Sequence, residues 1–272
     1  MEQWYLFRKN KAKDEEDVRV IYDLQKASMW KRISAFLFDL IMLSIVSVLF
    51  AWGISQLLGY DHYQQELSDT YARYGEAYGV DMRMPLAEYE ALDEAGRAAL
   101  DSAYAALSED GRAVRVYNLI IQLTILIISL SLLLGYLAME FAVPLKLGNG
   151  VTLGKKVFGL AVMRTDGVKL NTVSLFIRTV LGKFAIETMI PAIILMMIFW
   201  GTIGIVGPIV LIAILAVEIA VMLSTHTNAL IHDLLANTVA VDYASQMIFD
   251  TYEDMIHYKE KLHAEMAGKQ EY

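Results

Sequence analysis

ASMWKRISAFLFDLIML, residues 27–43, opens a hydrophobic run with Lys31 and Arg32 and then sets Asp39 inside it. The run continues to about Leu58 with Asp39 as its only charge, long enough to cross a bilayer as one helix. A carboxylate in hydrocarbon is expensive and marks either a functional site or a packing partner. Arg32 and Asp39 share one helical face about 10 Å apart along the axis. The arginine side chain tilts toward the helix start and snorkels to the interface. A pair within the helix is therefore not expected, and Asp39 has to find its partner on another element.

The rest of the chain follows the same pattern. Of 272 residues 56% are hydrophobic and the mean hydropathy is +0.43, above the roughly 45–50% apolar content of ordinary globular domains. A second apolar block runs from about Val116 to Leu145 with Glu140 its only charge. A third, FAIETMIPAIILMMIFWGTIGIVGPIVLIAILAVEIAVMLST, covers 184–225 and is too long for one span. Gly201, Gly204, Gly207 and Pro208 near its middle predict two helices and a tight turn, with Pro191 a possible break in the earlier one. With no cysteine there are no disulfides, thiolate metal sites or cysteine nucleophiles. About thirty charge-rich residues precede the first apolar run, unlike a cleavable signal peptide.

Charge sets the expected orientation. The net charge is −8, but residues 144–183 hold seven basic residues against one acid, and residues 60–115 hold twelve acids against five bases. Positive loops stay inside, so the loop between spans two and three is expected in the cytoplasm with both termini, and 60–115 outside. The segment DHYQQELSDTYARY and the longer PLAEYEALDEAGRAALDSAYAALSED read as two helices of an outer hairpin, with Gly111 as the stop of the second. VFGLAVMRTDGVKLNTV, with Asp166–Gly167 at its centre, predicts a local β-hairpin lying on the membrane surface or the spans. The tail from Tyr243 reads as an amphipathic helix with Met247, Phe249, Met255 and Ile256 as contact residues, docking on the ribbon, on another subunit or on a soluble partner.

The expected fold is all-α and polytopic. It has four transmembrane helices, a small cytoplasmic β-hairpin between spans two and three, and an extracytoplasmic helical hairpin between spans one and two. Arg32 at the start of the first span, Asp39 within it and Asp233 in IHDLLANTVAV resemble the RDD family of membrane proteins, named for one arginine and two aspartates. GVTLGKKVFGLAVMRTDG and Arg178 of LFIRTVLGK are also similar to that family. Leu153 stands where the family often has proline, and Asn237 where glycine is common; both departures concern local turns. The resemblance covers about 27–59 and 116–243. Outside it lie the N-terminal arm (1–26), the outer insertion (60–115) and the tail (244–272).

The resemblance implies a multi-pass protein of the cell membrane. It carries a suggestion of transport, including exchange of monovalent cations for protons. Candidate intramembrane carboxylates besides Asp39 are Glu140, Glu187 and Glu218, with Lys155, Arg178 and His232 in support. A titrating site would follow if Asp39 and Glu218 converged. The other class is a non-transporting scaffold or regulator, in which Arg32, Asp39 and Asp233 tie elements together and the outer hairpin or the tail binds a protein. All four carboxylates lie toward the cytoplasmic end of their spans, whereas transporter sites lie near the midplane. The lipid bilayer is the expected partner, with monovalent cations and protons added under the transport reading; a homo-oligomer or protein partner is open, and nucleic acid is not expected.

Enzyme signatures fail. LGNGVTLGKK lacks the first glycine and the final Ser or Thr of a phosphate loop. His226, His232, His257 and His263 have no zinc-type spacing, and no G-x-S-x-G elbow is present. Neither enzyme activity nor a cofactor is expected.

Overall fold

The computed structural model of the protein describes residues 24–270; residues 1–23, most of the expected N-terminal arm, lie outside the described residues, as do 271–272. In chain order, α1 (Met29–Leu58) is followed by α2 (Tyr60–Tyr78), α3 (Leu86–Glu90), α4 (Glu94–Glu109) and α5 (Gly111–Leu147). A short helix α6 (Leu153–Val157) and strand β1 (Leu160–Arg164) precede α7 (Thr172–Phe199) and α8 (Val206–Ser224). Then come α9 (Ile231–Leu235), β2 (Thr238–Asp242) and α10 (Tyr252–Gln270). Helices α1, α5, α7 and α8 are each long and apolar enough to cross a membrane. Phe199, Ile212, Leu215 and Leu223 stand exposed along α7 and α8, which suits lipid and not water.

The chain divides into two compact units. In the unit Ser47–Leu132, α2 and α4 pack through Leu100, Ala103 and Leu107, with Met82 and the rings of Tyr71 and Tyr74. Asp93 caps α4 by accepting from the Gly96 amide at 2.8 Å. Asp110 accepts from the amides of Arg112 and Ala113 at 2.9 and 3.2 Å. The break therefore falls at Asp110, and Gly111 starts the next helix instead of ending the previous one. The long segment expected as one helix is two, α3 and α4, separated at Ala91–Asp93.

In the other unit, the expected local β-hairpin does not form. Strand β1 pairs antiparallel with β2, Leu160 opposite Asp242 through Arg164 opposite Thr238. The turn at Asp166–Gly167 is real, with the Val168 carbonyl accepting from the Arg164 amide at 2.9 Å. Its second arm, however, reaches only a bridge between Met163 and Lys169 before Asn171 caps α7. The β-branched run TVAVD, far along the chain, supplies the longer partner. Lys26 bridges to Val241 on the free edge of β2. Both faces of the ribbon are covered. Ala161, Met163, Val239 and Val241 pack on one side with Val151, while Leu160 meets Ala27 and Ala35 at the start of α1 on the other. A two-stranded ribbon is marginal alone, so this burial stabilises it.

Helix α7 starts at Thr172, earlier than hydropathy suggested, and takes Arg178 and Lys183 out of the loop and into the span. Asn171 caps it, accepting from the Ser174 amide at 2.7 Å. Widened i→i+5 turns run over Leu137–Ala142 in α5 and Ile177–Met189 in α7. Pro191 sits just past the second of these, where regular helix resumes, and the helix continues through it. The α7–α8 turn falls at Trp200–Ile205, as the glycines indicated.

The chain lacks native cysteine, so the strand register has a direct test. Ala161→Cys with Val241→Cys, directly opposite, should form a disulfide under mild oxidant; Ala161→Cys with Ala240→Cys, on opposite faces, should not. No link in the first pair would refute the pairing of β1 with β2.

Candidate functional site

Asp39 is buried, and both of its oxygens are met by the first turn of α6. The Thr152 hydroxyl donates to Oδ2 at 2.5 Å and the Gly154 amide donates to Oδ1 at 2.7 Å. The Lys155 ammonium stands 4.0 Å from Oδ2 and donates to the Thr152 hydroxyl at 3.1 Å. Thr152 is also the N-cap of α6, accepting from the Lys155 amide at 3.3 Å. One threonine thus starts the helix and ties it to the first span. Position 154 has to be glycine, because a Cβ there would lie 2.3 Å from the Ala35 carbonyl oxygen and 2.9 Å from the Asp39 carboxylate. The family's usual proline would fall at Leu153, the first residue of α6, a position that needs no amide hydrogen.

Asp233 sits at the centre of a second knot, on α9. Arg178 from α7 pairs with it directly, and Arg32 from α1 approaches Oδ2 at 3.7 Å. Thr238, the first residue of β2, donates to Oδ1 at 3.0 Å and accepts from Arg178 at 2.6 Å. Burial alone would raise the Asp233 carboxyl; the guanidinium of Arg178, with Arg32 behind it, outweighs that and holds the group well below the usual carboxylate range. Arg32 also donates to the Thr227 carbonyl at 3.4 Å. A simple exchange of charge between Arg32 and Asp233 would therefore set Arg178 against a new cation, and would not restore the pair.

His232 links this knot to Glu187. Its Nδ1 lies 2.7 Å from Oε2 of Glu187, its backbone amide donates to Oε1 at 2.8 Å, and its Nε2 lies 3.1 Å from Arg178 Nη2. Burial pulls the imidazole below its ordinary pKa against the opposing pull of Asp233 and Glu187. A neutral ring with the proton on Nδ1 donates to Glu187 and accepts from Arg178, so both nitrogens have protein partners. Helices α7 and α9 touch here through Gly182, where a Cβ would lie 2.5 Å from that of His232. Asn237, just past α9, adopts φ +51°, a left-handed position that glycine and asparagine share, which explains the family's usual residue there.

Glu140 completes the set. Lys183 donates to its Oε2 at 2.5 Å, and the Thr179 hydroxyl donates to its backbone carbonyl at 3.0 Å. Burial, reinforced by Lys183, pulls the Lys155 ammonium down to about 8 against the attraction of Glu140 and Asp39. Glu140, Arg178, Lys183 and Glu187 all lie in the widened turns of α5 and α7. Arg32 and Arg178 pair with Asp233, Lys155 with Asp39 and Lys183 with Glu140, while Glu187 is held by His232; the four cations and four carboxylates balance in formal charge.

Glu218 on α8 stands apart. Among the described residues it has no hydrogen-bond or ion-pair partner, and Glu187 is within its electrostatic reach. No hydrogen bond or ion pair joins it to Asp39. The charged residues were visible in the sequence, but Thr152, Gly154 and Thr238 as their partners were not. A threonine can cap a helix, but its sequence neighbours do not name the carboxylate its hydroxyl reaches.

Replacing Asp233 with Asn leaves Arg178 buried without its anion and should destabilise the protein by about 3–5 kcal/mol. Adding Arg178→Met should recover part of that, a coupling of roughly 0.5–3 kcal/mol, measured by thermal unfolding in detergent; strict additivity would contradict the pair. For Lys155, folded near 8 and unfolded near 10.5, the unfolded chain binds more protons between these values. Its contribution therefore makes stability rise with pH from about 8 to 10.5, and Lys155→Met should flatten that limb in a pH series of melting temperatures.

No curated protein and no solved structure matches the chain. The model of the RDD family matches residues 26–237. That interval contains Arg32, Asp39 and Asp233, and it takes in more than half of the sequence. With four apolar helices, Arg32 paired with Asp233 and Asp39 held by the first turn of α6, the chain belongs to the RDD family.

Proposed function

We propose that the Arg32–Asp39–Asp233 constellation is a structural lock, and that the protein is a membrane-embedded scaffold or regulator in the cell membrane. The lock fixes the β1–β2 ribbon and its short helices against one end of the spans. With the basic loop inside, the ribbon, α10 and both termini face the cytoplasm, available to a protein partner. The observation that carries this reading is the ligation of Asp39. Both oxygens are taken by groups of the chain itself, and a carboxylate that trades protons for cations needs an open position. Charges that are paired and hydrogen-bonded on all sides fix one arrangement of elements.

Glu218 favours a second reading, exchange of a monovalent cation for a proton. Among the described residues it is the one candidate carboxylate with neither a hydrogen-bond nor an ion-pair partner. Purified protein in vesicles with an imposed pH gradient separates the two. The lock predicts no gradient-driven sodium or potassium flux, and loss of folded protein in Asp39→Asn. Flux that survives in the wild type and disappears in a folded Glu218→Gln variant would overturn the lock as the protein's whole function and establish exchange.

A further inference from the structure

Helix α6 turns one side to Asp39 and leaves another uncovered. Thr152, Gly154 and Lys155 are buried with that carboxylate, whereas Lys156 and Val157 are exposed. Lys146, with Leu145 and Leu147 exposed on either side of it, closes α5 just before the same turn. Among the described residues neither Lys146 nor Lys156 has a hydrogen-bond or ion-pair partner, while Lys31, Lys169 and Lys183 pair with Asp242, Asp250 and Glu140. No acid stands between Glu140 and Asp166. The turn that carries the two lysines is held firmly. The Gly148 amide donates to the Pro144 carbonyl at 2.9 Å, and the Asn149 carbonyl accepts from the Val162 amide on β1 at 2.9 Å. Gly150 lies so close to the ribbon that a Cβ there would stand 2.8 Å from that of Val162.

The lengths of the spans give the depth of this turn. About twenty helical residues cross the hydrocarbon core. Counted back from Leu58, the end of α1, twenty residues reach Asp39; counted back from Phe199, the end of α7, they reach Val180, beside Gly182. Helix α6 docks at Asp39, and α9 docks at Gly182 through His232. Both short helices therefore sit where hydrocarbon gives way to headgroups, and α9 also exposes Leu234 and Leu235 there. An exposed leucine or valine at this level meets acyl chains. A lysine beside it lays its stem along them and carries its ammonium out to the phosphates. A second copy of the chain set on the same patch by a two-fold axis would bring these cations against their own copies, with no acid to relieve them.

We propose that the turn between α5 and α6 is a docking surface for anionic phospholipid, with Lys146 and Lys156 taking the phosphates and Leu145, Leu147 and Val157 against the acyl chains. Lipid then holds α6 from the outside while Asp39 holds it from within, so anionic lipid stabilises the buried clamp by mass action. The inference stands whether or not the spans carry ions.

Binding of a fluorescent short-chain phosphatidylglycerol to the full-length protein in neutral detergent tests it. Lys146→Gln with Lys156→Gln should weaken binding about thirtyfold, about fivefold for each lysine near an anionic surface. Wild-type affinity should fall as salt is raised. Phosphatidylcholine of the same chain length should bind weakly, and equally to both proteins. A control pair at exposed positions elsewhere, Arg115→Gln with Lys261→Gln, removes the same charge and should keep wild-type affinity. Equal affinity of the wild type for the two lipids, no salt dependence, unchanged affinity in the lysine variant, or the same loss in the control pair would each overturn the inference. The lysine variant should also melt with the wild type in lipid-free detergent; failure to fold there would make the two lysines structural and overturn it as well.

Discussion

The hydrogen bonds from Thr152 and Gly154 to Asp39 are the contact on which the arrangement of the larger unit depends. They dock α6 on the first span at a place where glycine alone allows the backbone to approach. Helix α6 runs directly into β1, so fixing it fixes the ribbon. β1 in turn holds β2, and β2 begins at Thr238, which shares Asp233 with Arg178. The two aspartates are therefore opposite ends of one construction, with the first span clamped at Asp39 and, through Arg32, near Asp233. A carboxylate that would be a liability in lipid becomes the anchor for everything that follows it.

The clamp works because its charges are matched locally. Carrying an unpaired ion into a low-dielectric interior costs several kcal/mol, and attraction repays that only with good geometry and saturated hydrogen bonds. Each buried ion here meets an opposite ion or a hydrogen-bonding group, and His232 extends the set as a neutral bridge between Arg178 and Glu187. The widened turns of α5 and α7 carry Glu140, Arg178, Lys183 and Glu187 together. Glu218 on α8 is the exception, with no hydrogen-bond or ion-pair partner among the described residues.

Much of this was legible in the sequence, and the failures have physical causes. The long apolar blocks marked the spans, and the cost of Asp39 required a partner from elsewhere. The partner itself stayed hidden because half of it is a backbone amide, which leaves no trace in composition. The start of α7 was missed because Arg178 and Lys183 lower the local hydropathy, although they are buried in ion pairs and behave as interior residues. The ribbon was misread because Asp166–Gly167 is a true turn with too short a second arm. Nothing local distinguishes that arm from TVAVD, seventy residues later, whose β-branched side chains win the pairing. Leu153 and Asn237, the two departures from the family pattern, proved compatible with the first turn of a helix and with a left-handed cap.

The most direct measurement is hydrogen exchange at the Gly154 amide, the donor to Asp39, in the full-length protein in detergent. Retention of that proton among the slowest exchangers outside the spans is expected if the first span and α6 are locked together as described. Exchange as fast as at the turn around Asp166 would mean that Asp39 is open to water, and that it does not hold the two elements together.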